Sequence, residues 1–259
     1  MNATQRQDYI LNSLKQRSYI EITWLSENMN VSEMTVRRDL ARMEDEGLLL
    51  RVHGGVRSLP NVGYEHKLDN RVRIQSQAKR TIGRYAASLV NSGDIIAVDA
   101  SSTTHAMLRN LNVPVTILTN SISVAFALAE NDCAEVILLG GKLRKASLSL
   151  VGSDAIQLME NYHVDKVFFS AKAVDLEHGV TDATAEEGEI KRKMLKNGTE
   201  TFLLTDHSKF NSCAFYKICG LTDIHHLITD KPLEYTETAK YFLECCCKQG
   251  VKIHEIGEN

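Results

Sequence analysis

Several features that would define the function of this chain are missing from its sequence. No apolar run approaches the roughly 18 residues that a membrane-spanning helix needs, and the opening segment MNATQRQDYI is polar, unlike a signal peptide. A net charge of −3 excludes a protein that coats nucleic acid or membrane indiscriminately. We therefore expect a cytoplasmic protein with no membrane partner, in which any nucleic-acid site is a local patch.

The six cysteines lack the spacing of a metal site or a disulfide framework. None belongs to a CxxC pair with a matching His or Cys pair, and Cys245, Cys246 and Cys247 are consecutive, which suits disulfide pairing poorly. We expect reduced, mostly structural thiols, no metal site and no cofactor.

Two short amphipathic helices are predicted near the start of the chain, over residues 6–16 and 20–28, because apolar residues recur there at helical spacing. A third helix is expected to begin at Ser32, whose hydroxyl can accept a backbone N–H bond left open at a helix start. Glu33 suits the positive end of the helix dipole. Asn30 fits a tight turn between the second and third helices.

The third helix separates an apolar face from a basic one. Its period places Val36, Leu40 and Met43 on one side. A helix, a turn and a second helix with a polar outer face is the DNA-binding arrangement in which the second helix enters the major groove. Arginine pairs bidentately with guanine or phosphate, and threonine can contact a base edge or a thymine methyl. The candidate DNA-binding residues of this helix are Ser32, Met34, Thr35, Arg37, Arg38 and Arg42.

The segment LLLRVHGGV, which follows a predicted helix C-cap at Gly47, predicts a short hairpin. Its Arg51 and His53 could reach the phosphate backbone, as the wing of a winged helix does. Alternatively, Arg37 and Arg38 are ordinary solvated charges paired with neighbouring acids, and the residues alone leave both interpretations open.

Strand and helix patterns alternate from about residue 76 onward. Apolar, β-branched runs predict strands over residues 95–98, 115–118, 136–139, 167–169, 202–204 and 227–228. Helical stretches separate most of these runs, which is typical of a largely parallel sheet covered by helices on both faces. The predicted fold is therefore α/β: a winged helix-turn-helix domain over residues 1–57, a linker over 58–75, and a larger parallel-sheet α/β domain over 76–259.

Polar loops follow the predicted strands at their carboxyl ends, where ligands bind in open α/β sheets. The segment from Ser101 to Thr104 offers hydroxyls and free N–H groups to a phosphate, or it merely caps a helix. Gly140 and Gly141 let a ligand approach the backbone or simply make a turn. Lys209 could hold a phosphate or lie solvated on a loop.

The chain resembles the DeoR family of bacterial transcriptional regulators. The resemblance is carried by Arg6, Ile10, Leu14, the run from Ser32 to Leu40, the segment from Gly47 to Val56, and the motifs DASSTT, LTNS, LGGKLR, GVTDATAEEGEIKR and LLTDHSKF. It implies an N-terminal domain that binds operator DNA. It also implies a sensor domain similar in fold to ribose-5-phosphate isomerases, which usually binds a phosphorylated sugar. Asp39 is expected to partner an arginine, because a carboxylate near phosphates is otherwise costly.

By position, the resemblance implies a set of effector-binding residues at the strand ends. They are Asp99, Ser101, Ser102, Thr103, Asn120, Gly140, Gly141, Lys172, Asp175, Glu187, Lys191 and Lys209, to which we add the flanking Thr104 and Lys142. At the position of Ser101, family members commonly have glycine, and at the position of Lys172 they commonly have an acid. Lys172 reverses that charge, which predicts an effector with an extra anionic group, such as a sugar-acid phosphate. A surface lysine without a ligand is the alternative.

Structural roles compete with ligand binding for two of these residues. The segment from Thr184 to Glu187 has the form of a capping box, in which Glu187 bonds back to the Thr184 N–H, and Glu187 with Lys191 forms an i, i+4 pair. An isomerase would need a base and an electrophile, for which Asp175, Glu187 and Lys191 are the only candidates. We expect no catalytic residue and no enzyme activity. The alternative is a sugar-phosphate isomerase-like enzyme with an accessory winged helix.

The predicted function is sequence-specific DNA binding by a transcriptional regulator. We expect a repressor of a carbohydrate-utilisation operon whose operator binding is relieved by a phosphorylated sugar or sugar acid. A homo-oligomer, either dimer or tetramer, would place two winged helices on half-sites about 10 bp or a multiple apart.

Overall fold

The computed structural model of the protein describes residue 1 and residues 3–45, 48–58, 68–231 and 237–257. The predicted helix C-cap at Gly47 and the linker residues Pro60 and Gly63 lie outside these ranges. Within them, no helix is both long enough and apolar enough to cross a membrane. The contacts divide the chain into two compact units, one of residues 1–64 with 73–75 and one of residues 65–72 with 76–259.

The first unit combines helices with a small antiparallel sheet. Its elements are α1 (Ala3–Gln16), β1 (Tyr19–Glu21), α2 (Ile22–Met29), α3 (Glu33–Asp45), β2 (Leu50–Val52) and β3 (Gly55–Arg57). The strands lie in the order β1-β3-β2, so β2 and β3 form the predicted hairpin. The helix predicted over residues 20–28 was wrong at its start. The segment Tyr19–Glu21 pairs with β3 instead, because Ile20 can bury its branched side chain there opposite Val56.

The helix-turn-helix prediction is confirmed by the packing of α3. Val36, Leu40 and Met43 are fully buried and pack with Leu25 of α2 in the core of this unit. The turn between the helices is confirmed by Asn30, which adopts the left-handed conformation with φ 52° and ends α2. The local pattern was sufficient here because the core of a small helical unit is read directly from helical period.

The remaining described chain alternates strands and helices. Its elements are α4 (Leu68–Arg73), α5 (Ser76–Ala87), β4 (Ile95–Val98), α6 (Ser102–Leu108), β5 (Val115–Thr119), α7 (Ile122–Leu128), β6 (Ala134–Leu138), β7 (Lys142–Arg144), β8 (Ser149–Val151), α8 (Ser153–Glu160), β9 (Val164–Phe169), β10 (Ala173–Asp175), β11 (Gly179–Asp182), α9 (Ala185–Lys196), β12 (Gly198–Leu204), β13 (Tyr216–Cys219), β14 (His226–Asp230), α10 (Glu237–Lys248) and β15 (Lys252–Ile256). Short 3-10 turns cover His207–Lys209 and Leu221–Asp223.

A seven-stranded parallel sheet organises the second unit, in the order β15-β14-β12-β9-β4-β5-β6. Alternate strand residues bury on opposite faces. One core contains Phe168 and residues of α5, α6 and α7, and the other contains Phe169 and residues of α8, α9 and α10. The prediction of a parallel sheet covered on both faces is confirmed. The edge strand β15 was missed, because three of its five residues are polar or charged and it forms no apolar run.

The strand order reverses between β4 and β9. From β4 the chain proceeds to β5 and β6 on one side, then returns to β9 and continues outward through β12, β14 and β15 on the other. In open α/β sheets the ligand crevice lies at the carboxyl ends of the strands beside such a reversal. The residues that follow Val98 and Phe169 are therefore expected to border the ligand crevice.

Candidate functional site

The first turn of α3 presents the predicted DNA-binding side chains on its outer surface. The backbone N–H of Thr35 donates to Ser32 Oγ at 3.3 Å, so Ser32 caps the helix as predicted. Ser32 itself is exposed, Met34 is 66% exposed, and Thr35 is half-buried. The start of α3 is thus ordered by its own cap while its side chains remain available to a partner.

The arginines of α3 differ in how far they are already engaged. Arg37 pairs with Glu33 at 3.2 Å across one helical turn. Arg42 contacts Gln7 at 3.5 Å. Arg38 is exposed and makes no hydrogen bond or ion pair with any other described residue. The alternative interpretation was that both arginines pair with neighbouring acids. The structure shows such a pair for Arg37 and none for Arg38 among the described residues.

Asp39 is a structural residue, as predicted. Its carboxylate accepts two hydrogen bonds from the Arg6 guanidinium, at 2.5 Å from Nε and 3.1 Å from Nη2. Both side chains are largely buried, at 14% and 8% exposure. This ion pair ties α1 to α3 and removes the one acidic side chain next to Arg38 from the outer surface.

The β2–β3 hairpin carries the remaining predicted DNA contacts. His53 lies exposed in its turn, next to Gly54, whose φ of 78° is left-handed. Arg51 is exposed but engaged, since its side chain lies 3.8 Å from Glu44 and its backbone N–H donates to the same carboxylate at 2.9 Å. A Cβ at Gly55 would lie 2.4 Å from the backbone oxygen of Ile20, so only glycine fits there.

Asp99 lies where the strand order reverses, and it is completely buried. Its carboxylate accepts hydrogen bonds from the backbone N–H of Ser101 at 3.2 Å, from Thr104 Oγ1 at 2.8 Å and from the backbone N–H of Ser170 at 3.1 Å. It therefore joins the loop after β4 to the loop after β9. This explains its position better than direct contact with a ligand does.

The SSTT segment divides into two structural and two available residues. Ser101 caps α6 by accepting from the Thr104 N–H at 3.1 Å, and the Thr104 hydroxyl is bonded to Asp99. Ser102 and Thr103 are buried, yet their hydroxyls bond to no other described residue. The capping alternative thus accounts for Ser101 and Thr104, and Ser102 and Thr103 remain candidate ligand contacts.

Lys191 is a buried cation between two carboxylates. Its ammonium lies 2.6 Å from Asp182 and 3.0 Å from Asp99, and it donates to the Ser170 carbonyl at 2.8 Å. Burial opposes its charge, but Asp182 and Asp99 outweigh burial and hold the pKa of Lys191 above its ordinary value. The predicted pairing with Glu187 was wrong as a direct contact, because Asp182, Asp99 and the Ser170 carbonyl are the close partners of the ammonium.

Glu187 is held by hydroxyls instead of by its own helix start. Ser147 and Ser149 donate to its carboxylate at 2.6 and 2.5 Å, and Arg144 lies 3.7 Å away. Burial raises the pKa of Glu187 above its ordinary value. Only half of the predicted capping box forms: the Glu187 N–H donates to the Thr184 hydroxyl at 3.5 Å, while the carboxylate turns to the β7–β8 hairpin.

Asn120, at the end of β5, has an unsatisfied acceptor. Its side-chain amide donates to the Leu150 carbonyl at 3.2 Å, while its Oδ1 is buried and has no hydrogen-bond partner among the described residues. A buried acceptor without a partner costs about 1–3 kcal/mol, so a donor from water or a ligand is expected here. In contrast, Gly141 has a structural explanation, because its φ is 138° and a Cβ would lie 2.7 Å from the Val151 carbonyl oxygen.

Positive charge accumulates around Lys79 in α5. This residue is 5% exposed, and its ammonium donates to the Arg71 carbonyl at 2.5 Å. Burial lowers the pKa of Lys79 to about 7; Asp206 opposes this shift, and Lys209, Arg71 and Lys172 add to it. Predicted ligand residues Lys172 and Lys209 thus share one electrostatic environment with Lys79, in which cations outnumber the acid.

Asp206 is the acid of this group and follows β12. It is buried and accepts from the Ser208 N–H at 3.1 Å. Burial opposes its ionisation, but Lys209, Ser208 and Lys79 together lower the pKa of Asp206. Sequence reasoning missed both Asp206 and Lys79. Helical period offered a signal for the second, since it places Lys79 on the buried face of α5 with Ile82.

A cavity of about 400 Å³ lies between α5 and α6, next to this group. Ser102 and Lys79 line it together with Arg80, Arg84 and Arg109, and none of its described lining residues is acidic. Its volume is within the range of small-molecule sites. Cationic side chains from α5 and from the end of α6 therefore border the cavity.

Two predicted effector residues lie with other partners. The Lys142 ammonium is 2.7 Å from Glu186 on an exposed surface. Asp175 bonds to His178 within the β10–β11 hairpin, at 2.9 Å from the imidazole Nδ1. Asp175, Glu187 and Lys191, the three candidates for isomerase chemistry, are therefore each bound to a different set of neighbours.

The comparisons with known proteins agree with both units. Residues 6–62 match the DeoR-like helix-turn-helix domain, and residues 74–231 match the DeoR C terminal sensor domain. The HTH-type transcriptional repressor GlcR of Bacillus subtilis (strain 168) is 40% identical over 224 residues, which are 86% of each chain. The putative aga operon transcriptional repressor of Escherichia coli O157:H7 is 31% identical over 98% of this chain and 94% of its own.

Among solved structures, ribose 5-phosphate isomerase A from Methanocaldococcus jannaschii is similar over 52% of this chain and 54% of its own, with a TM-score of 0.40 and 17% identity. The strand order of the seven-stranded sheet, independently of this similarity, defines the fold of the sensor unit.

Proposed function

This chain belongs to the DeoR family of transcriptional regulators, and from that premise we propose that it represses genes of carbohydrate use until a phosphorylated sugar or sugar acid binds its sensor unit. The helix-turn-helix is present with its recognition face exposed, and family membership indicates a DNA-binding regulator rather than an enzyme. The family relatives described above are named as repressors, which supports repression as the mode of action.

DNA binding is assigned to the outer face of α3 and to the wing. Arg38 is the strongest candidate for a base contact, because it is exposed and has no described partner to leave. Ser32, Thr35 and Arg37 would position the helix on phosphates or neighbouring bases, and His53 would contact the backbone from the wing. These roles follow from exposure and chemistry, since phosphate contacts set orientation and base contacts set specificity.

The group of cationic side chains around Lys79, beside the cavity, is the observation that carries the effector proposal. Lys209, Arg71 and Lys172 all act electrostatically on Lys79, and the described lining of the cavity contains Arg80, Arg84 and Arg109 and no acid. An anion would bind among these cations, and Asn120 Oδ1 would accept from a hydroxyl of the same ligand. A sugar phosphate has both groups. The carboxylate of a sugar-acid phosphate would in addition pair with the Lys172 ammonium.

Regulation would be a two-state linkage. The effector must bind one arrangement of the oligomer better than the other, and the preferred arrangement must place the two winged helices at the wrong spacing for two half-sites. A dimer or tetramer would meet this requirement.

The test is binding of the purified protein to the DNA upstream of its own operon at fixed salt, with sugar phosphates and sugar-acid phosphates added one at a time. Release by one compound is the expected result. Tight, sequence-specific binding that no compound relieves would remove the effector proposal and keep the regulator. Absence of specific binding would remove both.

Lys172→Ala tests the extra anionic group. We expect the affinity of this variant for a sugar-acid phosphate to fall by more than its affinity for the matching sugar phosphate without the carboxylate, because only the first would use the additional cation. Lys142→Ala is the matched control, since Lys142 pairs with Glu186 on the surface. Equal affinities of Lys172→Ala and the unmodified protein for both ligands would end this part of the proposal.

A further inference from the structure

Asp175, which bonds within its own hairpin and not at the effector cavity, converges with His178 and Cys213 at the small sheet β10-β11-β13. Asp175, His178 and Cys213 each place a potential ligand atom within 4.8 Å of the other two. Asp175 and His178 lie at the β10–β11 turn, and Cys213 lies in the loop after Phe210, so two distant segments of the chain contribute.

The separation of these atoms suits a small tetrahedral ion. Zn²⁺ binds oxygen, nitrogen and sulfur at about 2.0–2.3 Å, so neighbouring ligand atoms around it lie about 3.3–3.8 Å apart. Small side-chain rotations would bring Asp175, His178 and Cys213 from within 4.8 Å to that spacing. A thiolate and an imidazole favour Zn²⁺ over Mg²⁺ or Ca²⁺, which prefer oxygen ligands only.

Hairpin geometry accounts for two of the three residues. Asp175 accepts from the His178 backbone N–H at 2.5 Å and lies 2.9 Å from its imidazole, which closes the β10–β11 turn without any metal. It does not account for Cys213. The contact found for that thiol is a weak one, 3.3 Å to the carbonyl of the adjacent Ala214.

The backbone on both sides of Cys213 is anchored to the same small sheet. The Ser212 N–H donates to the Val174 carbonyl at 3.5 Å, and the Ala214 N–H donates to Thr181 Oγ1 at 2.8 Å. These bonds hold the exposed thiol beside the turn, so only part of the ordering of the loop is left for a metal to supply.

We propose that Asp175, His178 and Cys213 form a site for one Zn²⁺, with the fourth position left to water or an exchangeable ligand. The bound ion clamps the loop that follows Lys209 to the hairpin that follows Lys172. It thereby stiffens the two segments that carry these lysines. The metal site does not depend on the sugar-phosphate proposal, because none of its three ligand residues belongs to the cationic side chains around Lys79.

Competition between Zn²⁺ and a chromogenic chelator tests the site on the reduced, full-length, metal-stripped protein. We expect one Zn²⁺ per chain, and at least a tenfold loss of affinity in both Cys213→Ser and His178→Ala. Cys247→Ser is the matched control, because Cys247 is likewise exposed but lies on α10. Co²⁺ in place of Zn²⁺ should give a thiolate-to-metal absorption band that Cys213→Ser abolishes and Cys247→Ser retains.

Hydrogen exchange supplies a second readout on the same proteins. Zn²⁺ should slow the exchange of residues 176–179 and 211–215 together in the unmodified chain and in Cys247→Ser, and have no such effect in Cys213→Ser. Both Cys213 and His178 are exposed, so unchanged melting temperatures in the absence of metal should show that the variants fold. Zn²⁺ binding that Cys213→Ser leaves intact, or absence of binding by the unmodified protein, overturns the proposal.

Discussion

The helix α3 and the carboxyl-end edge of the parallel sheet use charged residues in opposite ways. On α3, Arg38 is exposed and has no partner among the described residues, so its interactions are left to be made with another molecule. At the sheet edge, Lys191 and Asp99 are buried and bonded to each other. A charged residue on the outer face of α3 can be exchanged with little effect on folding. A buried charged residue at the sheet edge contributes to the stability of the fold as well as to any function.

The difference follows from solvation. An exposed guanidinium keeps its water and loses little when no partner is bound. A buried ammonium loses its water on folding and must be compensated within the protein. Several candidate effector residues therefore have buried charged or hydrogen-bonded partners, whereas Arg38 on α3 has no partner among the described residues.

The largest effect is expected for Lys191→Met. This change leaves Asp99 and Asp182 buried without their cation, which should lower the free energy of unfolding by about 3–5 kcal/mol. Denaturant unfolding measures it. Lys142→Met is the control, where loss of the exposed pair with Glu186 should cost about 0–1 kcal/mol. Similar losses in the two variants would contradict the contrast between buried and exposed pairs.

Asp39→Asn should lower the stability of the DNA-binding unit. It removes the charge that holds Arg6 at 2.5 Å, so the first unit should unfold at lower denaturant concentration. Glu33→Gln, which releases the exposed Arg37, should leave unfolding nearly unchanged. If the two variants were equally stable, Asp39 would not be the structural link between α1 and α3.

Arg38→Ala should affect DNA and not folding. We expect a loss of about 1–3 kcal/mol in specific operator binding if the side chain contacts a base edge, with unfolding unchanged because no described contact is lost. Arg37→Ala, which removes the ion-pair partner of Glu33, is the matched variant on the same turn. A loss for Arg38→Ala that is equal on operator and unrelated DNA would identify a phosphate contact instead.

The smallest expected effect is a proton uptake linked to Lys79. Its pKa near 7 lies below that of an unfolded lysine, so the unfolded chain binds more protons between about pH 7 and 10, and the contribution of Lys79 to stability should rise with pH across that window. A bound anion would raise this pKa again. At pH 8, ligand binding should therefore take up protons.

Calorimetry of ligand binding in buffers of different ionisation enthalpy measures this uptake. The compound that releases the operator, or inorganic phosphate if none does, is the ligand to use. Lys79→Gln should abolish the buffer dependence while retaining the hydrogen-bonding capacity of the side chain. A buffer dependence unchanged in that variant would assign the proton to another group.

Much of the architecture could be predicted from local pattern. Helical period identified the buried face of α3, and strand patterns located six of the seven parallel strands, because burial on one face leaves a repeating signature in the sequence. Ile20 and Glu21 of the first strand were assigned to a helix, since their pairing with β3 depends on residues far along the chain. Boundaries shaped by tertiary pairing were the ones that sequence pattern missed.

For the candidate sites, local pattern was enough to predict which chemical groups occur at the strand ends and which face of α3 is polar. It could not predict their partners, such as Asp99 and Asp182 for Lys191, or the β10–β11 turn for Cys213. Helical and strand period reports only whether a side chain is buried. Which charge or ligand atom it meets depends on segments that folding alone brings together.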